Sequence, residues 1–175
     1  MLALSACASD EELGYKEPAR EGLAVTVGGI DYNVFITRQL NLRDPEDRAY
    51  YAGAEAPPGS TYYGVFIQAC NRQEGDDAAA DATEHFRVVD SQGNEFAPRE
   101  LPPGNIFAYR ARRLAPEQCI PEAGTIAAGA PAAGALLLFE LPLAATENRP
   151  LELEITSPAT AAGAEHRKGR VELDV

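Results

Sequence analysis

Thr61-Tyr62-Tyr63-Gly64-Val65-Phe66-Ile67-Gln68-Ala69-Cys70-Asn71 is the most strand-like stretch of the chain. It is rich in aromatic and β-branched residues, which suit a pleated, packed surface. It is apolar at odd and even positions alike, so neither face suits water, and it reads as a central strand. On both sides of it the dominant period is two. Leu23, Val25 and Val27 alternate with Ala24 and Thr26, and Gly28-Gly29 makes the turn that follows. Tyr32, Val34 and Ile36 alternate with Asn33, Phe35 and Thr37, and this strand runs toward Leu40. Residues 86–89 and 95–97 pair about the turn Asp90-Ser91-Gln92-Gly93-Asn94. Residues 136–141 form a strand stopped by Pro142. Leu151, Leu153 and Ile155 alternate with Glu152, Glu154 and Thr156, and Val171, Leu173 and Val175 repeat that pattern at the end. The intervening stretches 43–59, 72–83, 98–135 and 158–169 are polar or rich in Gly and Pro and read as connections, with one helical turn over 45–51. The expected fold is all-β, an immunoglobulin-like antiparallel sandwich of about seven to eight strands. A jelly roll or a small barrel is the alternative.

The chain has 175 residues and a net charge of −12, from 15 Lys+Arg against 27 Asp+Glu. That length suits one domain with its own core. The acidity excludes a nucleic-acid binder, which needs a basic footprint, and attachment to anionic lipid head groups by charge. Two His, one Met and three Cys leave few soft or imidazole ligands, so no resident metal or cofactor is expected.

Leu4-Ser5-Ala6-Cys7 matches a lipobox, an aliphatic residue and two small ones before Cys, and a polar run follows at once. Six residues precede Cys7 and none is basic, so the sequence is read as starting inside a secretion signal. Residues 1–7 are then a signal remnant ending at the lipidated Cys7, residues 8–22 a flexible tether, and residues 23–175 the sandwich. This places the domain in the cell envelope, on the extracytoplasmic side, held to the membrane by lipid. Cys70 and Cys119 remain as an even pair, and an oxidising compartment favours a disulfide between them.

Four segments together resemble a family of bacterial lipoproteins and secreted proteins with an immunoglobulin-like domain of unknown function, related in fold to the immunoprotective extracellular antigens. They are Gly64-Val65-Phe66-Ile67-Gln68-Ala69-Cys70-Asn71, the hairpin Phe86-Arg87-Val88-Val89-Asp90-Ser91-Gln92-Gly93-Asn94-Glu95-Phe96-Ala97-Pro98, the strand Gly134-Ala135-Leu136-Leu137-Leu138-Phe139-Glu140-Leu141-Pro142, and Pro150-Leu151-Glu152-Leu153-Glu154-Ile155. The resemblance implies a sandwich fold and an envelope location, and brings no catalytic residues. The long excursion around Cys119 departs from the simplest family pattern.

No motif for catalysis is found. His85 and His166 are the only imidazoles, and neither lies beside a Gly-x-Ser-x-Gly elbow. The acidic group Glu74, Asp76, Asp77, Asp81 and Glu84 lacks the alternating ligands of a calcium loop. Asp44, Glu46 and Asp47 read as a solvated charge run. One constellation stands out. Asn105-Ile106-Phe107-Ala108-Tyr109-Arg110-Ala111-Arg112-Arg113 gathers aromatics and three arginines in an acidic chain. Such side chains dominate binding hot spots, so Phe107, Tyr109, Arg110, Arg112 and Arg113 are candidates for contact with a partner. The plain alternative is a strand whose arginines offset neighbouring acids. The expected function is binding of a protein or envelope partner without catalysis. The alternative is a lipoprotein that binds a small molecule or calcium.

Overall fold

The computed structural model describes residues 14–75, 78–159 and 166–175. Cys7 with its lipobox, and Asp76 and Asp77 of the acidic loop, lie outside the described residues. The elements in chain order are β1 (Ala19–Arg20), β2 (Ala24–Val27), β3 (Ile30–Leu40), α1 (Pro45–Tyr50), β4 (Ser60–Cys70), β5 (Ala80–Asp81), β6 (His85–Val89), β7 (Glu95–Phe96), β8 (Arg113–Leu114), β9 (Cys119–Ile120), α2 (Ile126–Gly129), β10 (Ala135–Pro142), α3 (Leu143–Thr146), β11 (Glu152–Thr156) and β12 (Lys168–Glu172). Seven of these strands have four residues or more, and the two-residue strands are short pairings along the loops. One large sheet runs β1-β12-β11-β6-β7, a second β10-β4-β3-β2 with β9 beside the end of β4, and β5 and β8 form a small two-stranded sheet. The fold is the expected all-β sandwich.

The quoted stretch is the axis of the second sheet. β4 pairs with β3 on one side and with β10 on the other, each along most of its length. Tyr63, Val65, Ile67 and Ala69 of β4 face the first sheet, beside Ala135, Leu137, Phe139 and Leu141 of β10. They meet Phe86, Val88, Leu151, Leu153, Ile155 and Val171 across the sandwich. The other face of the same two strands carries Tyr62, Phe66, Leu136 and Leu138, and it too is buried. Its cover comes from Tyr50 of α1 and from Leu101, Phe107, Ala127 and Ala132 of the 98–135 excursion. Full burial of each such side chain contributes about 1.5–3 kcal/mol, so this roof is a second core.

The excursion is tied down by its backbone as well. Arg99 donates its N–H to the Leu138 carbonyl at 2.7 Å, Tyr109 donates to the Leu136 carbonyl at 2.9 Å, and the Leu136 N–H donates to the Phe107 carbonyl. These bonds occupy the edge of β10 that β4 leaves open. Cys70 and Cys119 sit directly opposite in the β4–β9 register, with Cα atoms 4.1 Å apart, and are joined in the expected disulfide. The enclosed loop, 49 residues in sequence separation, corresponds to about 4 kcal/mol of denatured-chain entropy. Next to it Asn71 is fully buried. Its amide donates to the Ala78 and Leu114 carbonyls, its side-chain oxygen accepts from the Gln73 N–H, and its backbone pairs with Glu117 and Gln118.

Two expectations change. The alternation of β3 breaks at a bulge between Val34 and Ile36. Phe35 is the extra residue, and Ile36, expected inward, stands opposite Phe66 on the outer side and is 39% exposed. An inserted residue reverses every later side chain of a strand. The stretch assigned to a tether is bound to the domain from Gly14 onward. Ala19 and Arg20 pair in parallel with Val171 and Glu172, Ala19 is buried, and Arg170 donates its N–H to the Gly14 carbonyl at 2.7 Å. A short chain of mixed polarity can dock as an edge strand where an open ladder offers it partners.

Gly134 enters β10 so close to β4 that an added Cβ would lie 2.8 Å from the Ile67 nitrogen and 2.9 Å from the Phe66 carbonyl carbon. Backbone cannot swing aside as a side chain can. Gly134→Ala should cost about 1–3 kcal/mol in urea unfolding. Gly129→Ala in α2, where no atom lies within 4 Å of the new Cβ, should be neutral or stabilising by up to about 1 kcal/mol.

Asp90 in the β6–β7 turn gives a second test. Burial opposes its charge. Hydrogen bonds from the Asn94 and Asn148 side-chain amides and from the Asn94 and Gln92 backbone outweigh that and bring its pKa down to about 2. A carboxyl depressed on folding stabilises the protein above its unfolded pKa and loses that contribution as pH falls through the folded value. The stability gap between the native chain and Asp90→Asn should therefore hold above about pH 4 and close toward pH 2. A gap constant from pH 6 to pH 2 in chemical unfolding would contradict this.

Candidate functional site

Asp44 starts the site. It caps α1 by accepting from the Glu46 N–H, and Pro45 suits the first helical turn. The neighbouring acids are structural as well. Asp47 is buried and accepts from the Asn41 N–H at 2.7 Å, and Arg38 reaches both Asp47 and Glu46. This fixes Tyr50 and Tyr51 at the end of α1. Across from them, Asn105 holds the 102–107 turn by donating to the Tyr50 carbonyl and accepting from the Phe107 N–H.

Between the two lies an apolar groove of about 430 Å³, lined chiefly by Tyr50, Tyr51, Pro102, Ile106 and Phe107. Its floor is rigid. Tyr50 meets Phe107 edge to face at 5.0 Å and Phe66 at 4.7 Å. Its wall is Ile106, 62% exposed on an otherwise ordered turn. The size and lining are those of a ligand or side-chain pocket.

A second hollow lies on the other side of the same excursion. Two confluent depressions of about 540 and 470 Å³ share Glu84, His85, Phe86 and Pro98. The first reaches Arg99, Glu100, Tyr109 and Arg110, and the second extends over the outer side of the first sheet to Arg87, Glu95, Glu154 and Lys168. Most of this charge is internally matched. Arg87 pairs with Glu95 at 3.3 Å, Lys168 with Glu154 at 3.0 Å, and Arg99 with Glu140.

The expected partner-contact residues do not form one surface. Phe107 belongs to the roof and Tyr109 to the main core, each less than a tenth exposed, so neither presents its ring to a partner as expected. The Tyr109 hydroxyl donates to the Thr83 carbonyl at 2.9 Å, and the Thr83 N–H donates to the Tyr32 hydroxyl at 2.7 Å. Burial drives both phenols away from ionisation, Tyr32 up to about 12 and Tyr109 well above its ordinary value. Arg110 donates to the Leu101 and Pro102 carbonyls, Arg112 to the Cys119 carbonyl, and Arg113 pairs with Asp81 at 3.5 Å. The arginines thus brace the excursion, close to the plain alternative of offsetting neighbours.

His85 lies in the second hollow, and the His166 ring is stacked on Tyr15 at 3.7 Å. Among the described residues, no group of three or more His, Cys, Asp or Glu is placed to hold a metal ion. No helix among them is long and apolar enough to cross a membrane. The sequence constellation and the groove share the turn at Asn105–Phe107, but no sequence signal marks Tyr51 and Pro102.

Comparison with protein families finds none that the chain matches, and comparison with curated proteins finds no match. Among solved structures the chain is similar to the crystal structure of the yjhA protein from Bacillus subtilis, with a TM-score of 0.56 and 12% identity over 90% of this chain and 100% of that one. It is also similar to an uncharacterized β-sandwich protein from Clostridium difficile 630, with a TM-score of 0.45 and 10% identity over 89% of this chain and 94% of that one. The first likeness supports the sandwich fold drawn from the strands themselves, and at this identity it extends to the fold alone.

Proposed function

We propose that the chain is a lipid-anchored, extracytoplasmic β-sandwich that binds a protein or envelope partner and carries out no catalysis. The groove at Ile106 carries this reading. An exposed aliphatic side chain stands over an aromatic floor in a concave apolar hollow, the form in which a site receives a ligand or a partner's side chain. The groove sits on an excursion fixed by a disulfide and by the buried Asn71 amide, which matches the rule that function lies on loops held by a stiff scaffold. The Leu4-Ser5-Ala6-Cys7 motif and the disulfide support the compartment. The small-molecule alternative uses the same groove, whose volume falls within the range of about 300–1,000 Å³ common for ligand pockets.

The test has two arms in intact cells. The native chain should incorporate an alkyne-tagged palmitate and partition with membranes, and Cys7→Ala should lose both. A photo-crosslinking residue at Tyr51 should capture a discrete partner, and Ile106→Glu should abolish that capture while leaving the melting temperature unchanged. Unaltered capture by Ile106→Glu would count against the groove. A ligand-dependent rise in melting temperature without any crosslinked partner would select the small-molecule reading.

A further inference from the structure

The outer edge of β6 is paired over only half its length. β7 sets Phe96 against Val88 and Glu95 against Val89, and the Asp90 N–H donates to the Asn94 carbonyl at the end of the hairpin. Carried onward, that register would put Ala97 against Arg87 and Pro98 against Phe86. Proline has no N–H to give. The next residue, Arg99, donates its N–H to Leu138 of the opposite sheet. The chain therefore leaves β6 at the position where Phe86 needs a donor.

Backbone parity shows which groups are left. In an antiparallel strand, alternate residues direct N–H and C=O to opposite neighbours. Asp90 bonds toward β7, so Val88, Phe86 and Glu84 turn their backbone groups to that side, and β11 serves the residues between. The Phe86 N–H folds back on the Glu84 carbonyl at 3.2 Å, a three-residue contact in place of a ladder bond. Among the described residues no strand lies opposite the Phe86 carbonyl. Backbone groups in ordered structure are nearly always paired, and here the space beside them is the cleft that Glu84, His85, Phe86 and Pro98 line.

The charges in that cleft are uneven in use. Arg87, Lys168 and Arg99 are each matched by a carboxylate, and Arg110 is committed to two carbonyls. Among the described residues, the Glu84 and Glu100 carboxylates have neither a hydrogen bond nor an ion pair, and both line the hollow. We infer that this cleft accepts an extended peptide segment of another protein, added as a strand on β6 at Glu84 and Phe86, with basic side chains matched to Glu84 and Glu100. Strand addition takes its affinity from main-chain bonds and its selectivity from flanking side chains. The inference rests on the binding reading above and names the chemistry of a partner. It uses a surface other than the Ile106 groove, so either can fail while the other stands.

The test uses the full chain and a fluorescein-labelled hexapeptide alternating Val and Lys, followed by fluorescence anisotropy and by amide shifts in the protein. Two versions carry N-methyl groups on one or the other alternate set of amides, with charge unchanged. One set should weaken binding about tenfold or more and the other should leave it nearly intact, since only one set faces β6. Amide shifts should centre on residues 84–87. Glu84→Gln with Glu100→Gln should weaken binding about fivefold. Pro98→Val supplies the missing N–H opposite Phe86, so it should weaken binding while leaving the melting temperature unchanged or raised. Equal binding by both N-methylated peptides would reduce the interaction to attraction by a chain of net charge −12 and overturn the proposal. Shifts centred on Ile106, or binding unaffected by Pro98→Val, would overturn it too. A dimer in sedimentation that Pro98→Val dissociates would assign the edge to a second copy of the chain instead.

Discussion

β4 and β10 are apolar on both faces, and two faces need two covers. Leaving Phe66 or Leu138 in water would forfeit about 1.5–3 kcal/mol for each side chain. The first sheet covers one side, with Leu153 and Ile155 at its centre. Among the described residues the cover on the other side is no third sheet but a largely irregular one, made of the short helix α1, the 98–110 stretch and the turn around α2. An irregular cover has little ladder of its own. It is held by a few backbone bonds to β10, by the Cys70–Cys119 bond, by the Asn71 amide and by arginines that donate to its carbonyls. The disulfide is thus a consequence of the two-faced strand pair.

The same excursion explains why one sheet edge is closed and another is not. Residues 99 and 107–109 spend their backbone groups on β10. Chain that bonds to β10 cannot also extend β7 along β6, and Pro98 marks the crossing. The edge of β6 is left to its own short turn at Glu84, inside a cleft and away from the flat exposure that invites aggregation. The groove at Ile106 arises on the opposite side of the crossing, where Asn105 anchors the turn to α1.

Much of the fold was legible because burial imposes a period. Leu151, Leu153 and Ile155 are inward as their alternation implied, and the unbroken apolar run of β4 did mean cover on both sides. What failed was local. The bulge at Phe35 inserts a residue without Gly or Pro to mark it, and every residue of β3 beyond it changes side. Ala19 and Arg20 carry no strand pattern, because an edge pairing of two residues needs only a neighbour with free N–H and C=O groups. The aromatics of 105–113 stand among arginines, a composition that suits a contact surface. Their rings in fact enter two different cores, and sequence adjacency does not reveal where a turn sends alternate side chains.

The arginines of this stretch show how charge is used in an acidic chain. Arg110 and Arg112 are directed at carbonyls of the excursion, those of Leu101, Pro102 and Cys119. A guanidinium carries five donors in a fixed fork and can serve two carbonyls at once, as Arg110 does. A hydrogen bond from a charged donor is worth about 1.5–3 kcal/mol where it is well shielded, and less at a surface. Removing these side chains would therefore loosen the roof and reshape both hollows together. A loss of binding on Arg110→Ala would thus report the scaffold, and the substitutions that isolate recognition are those at exposed side chains, Ile106 on one side of the excursion and Glu84 on the other.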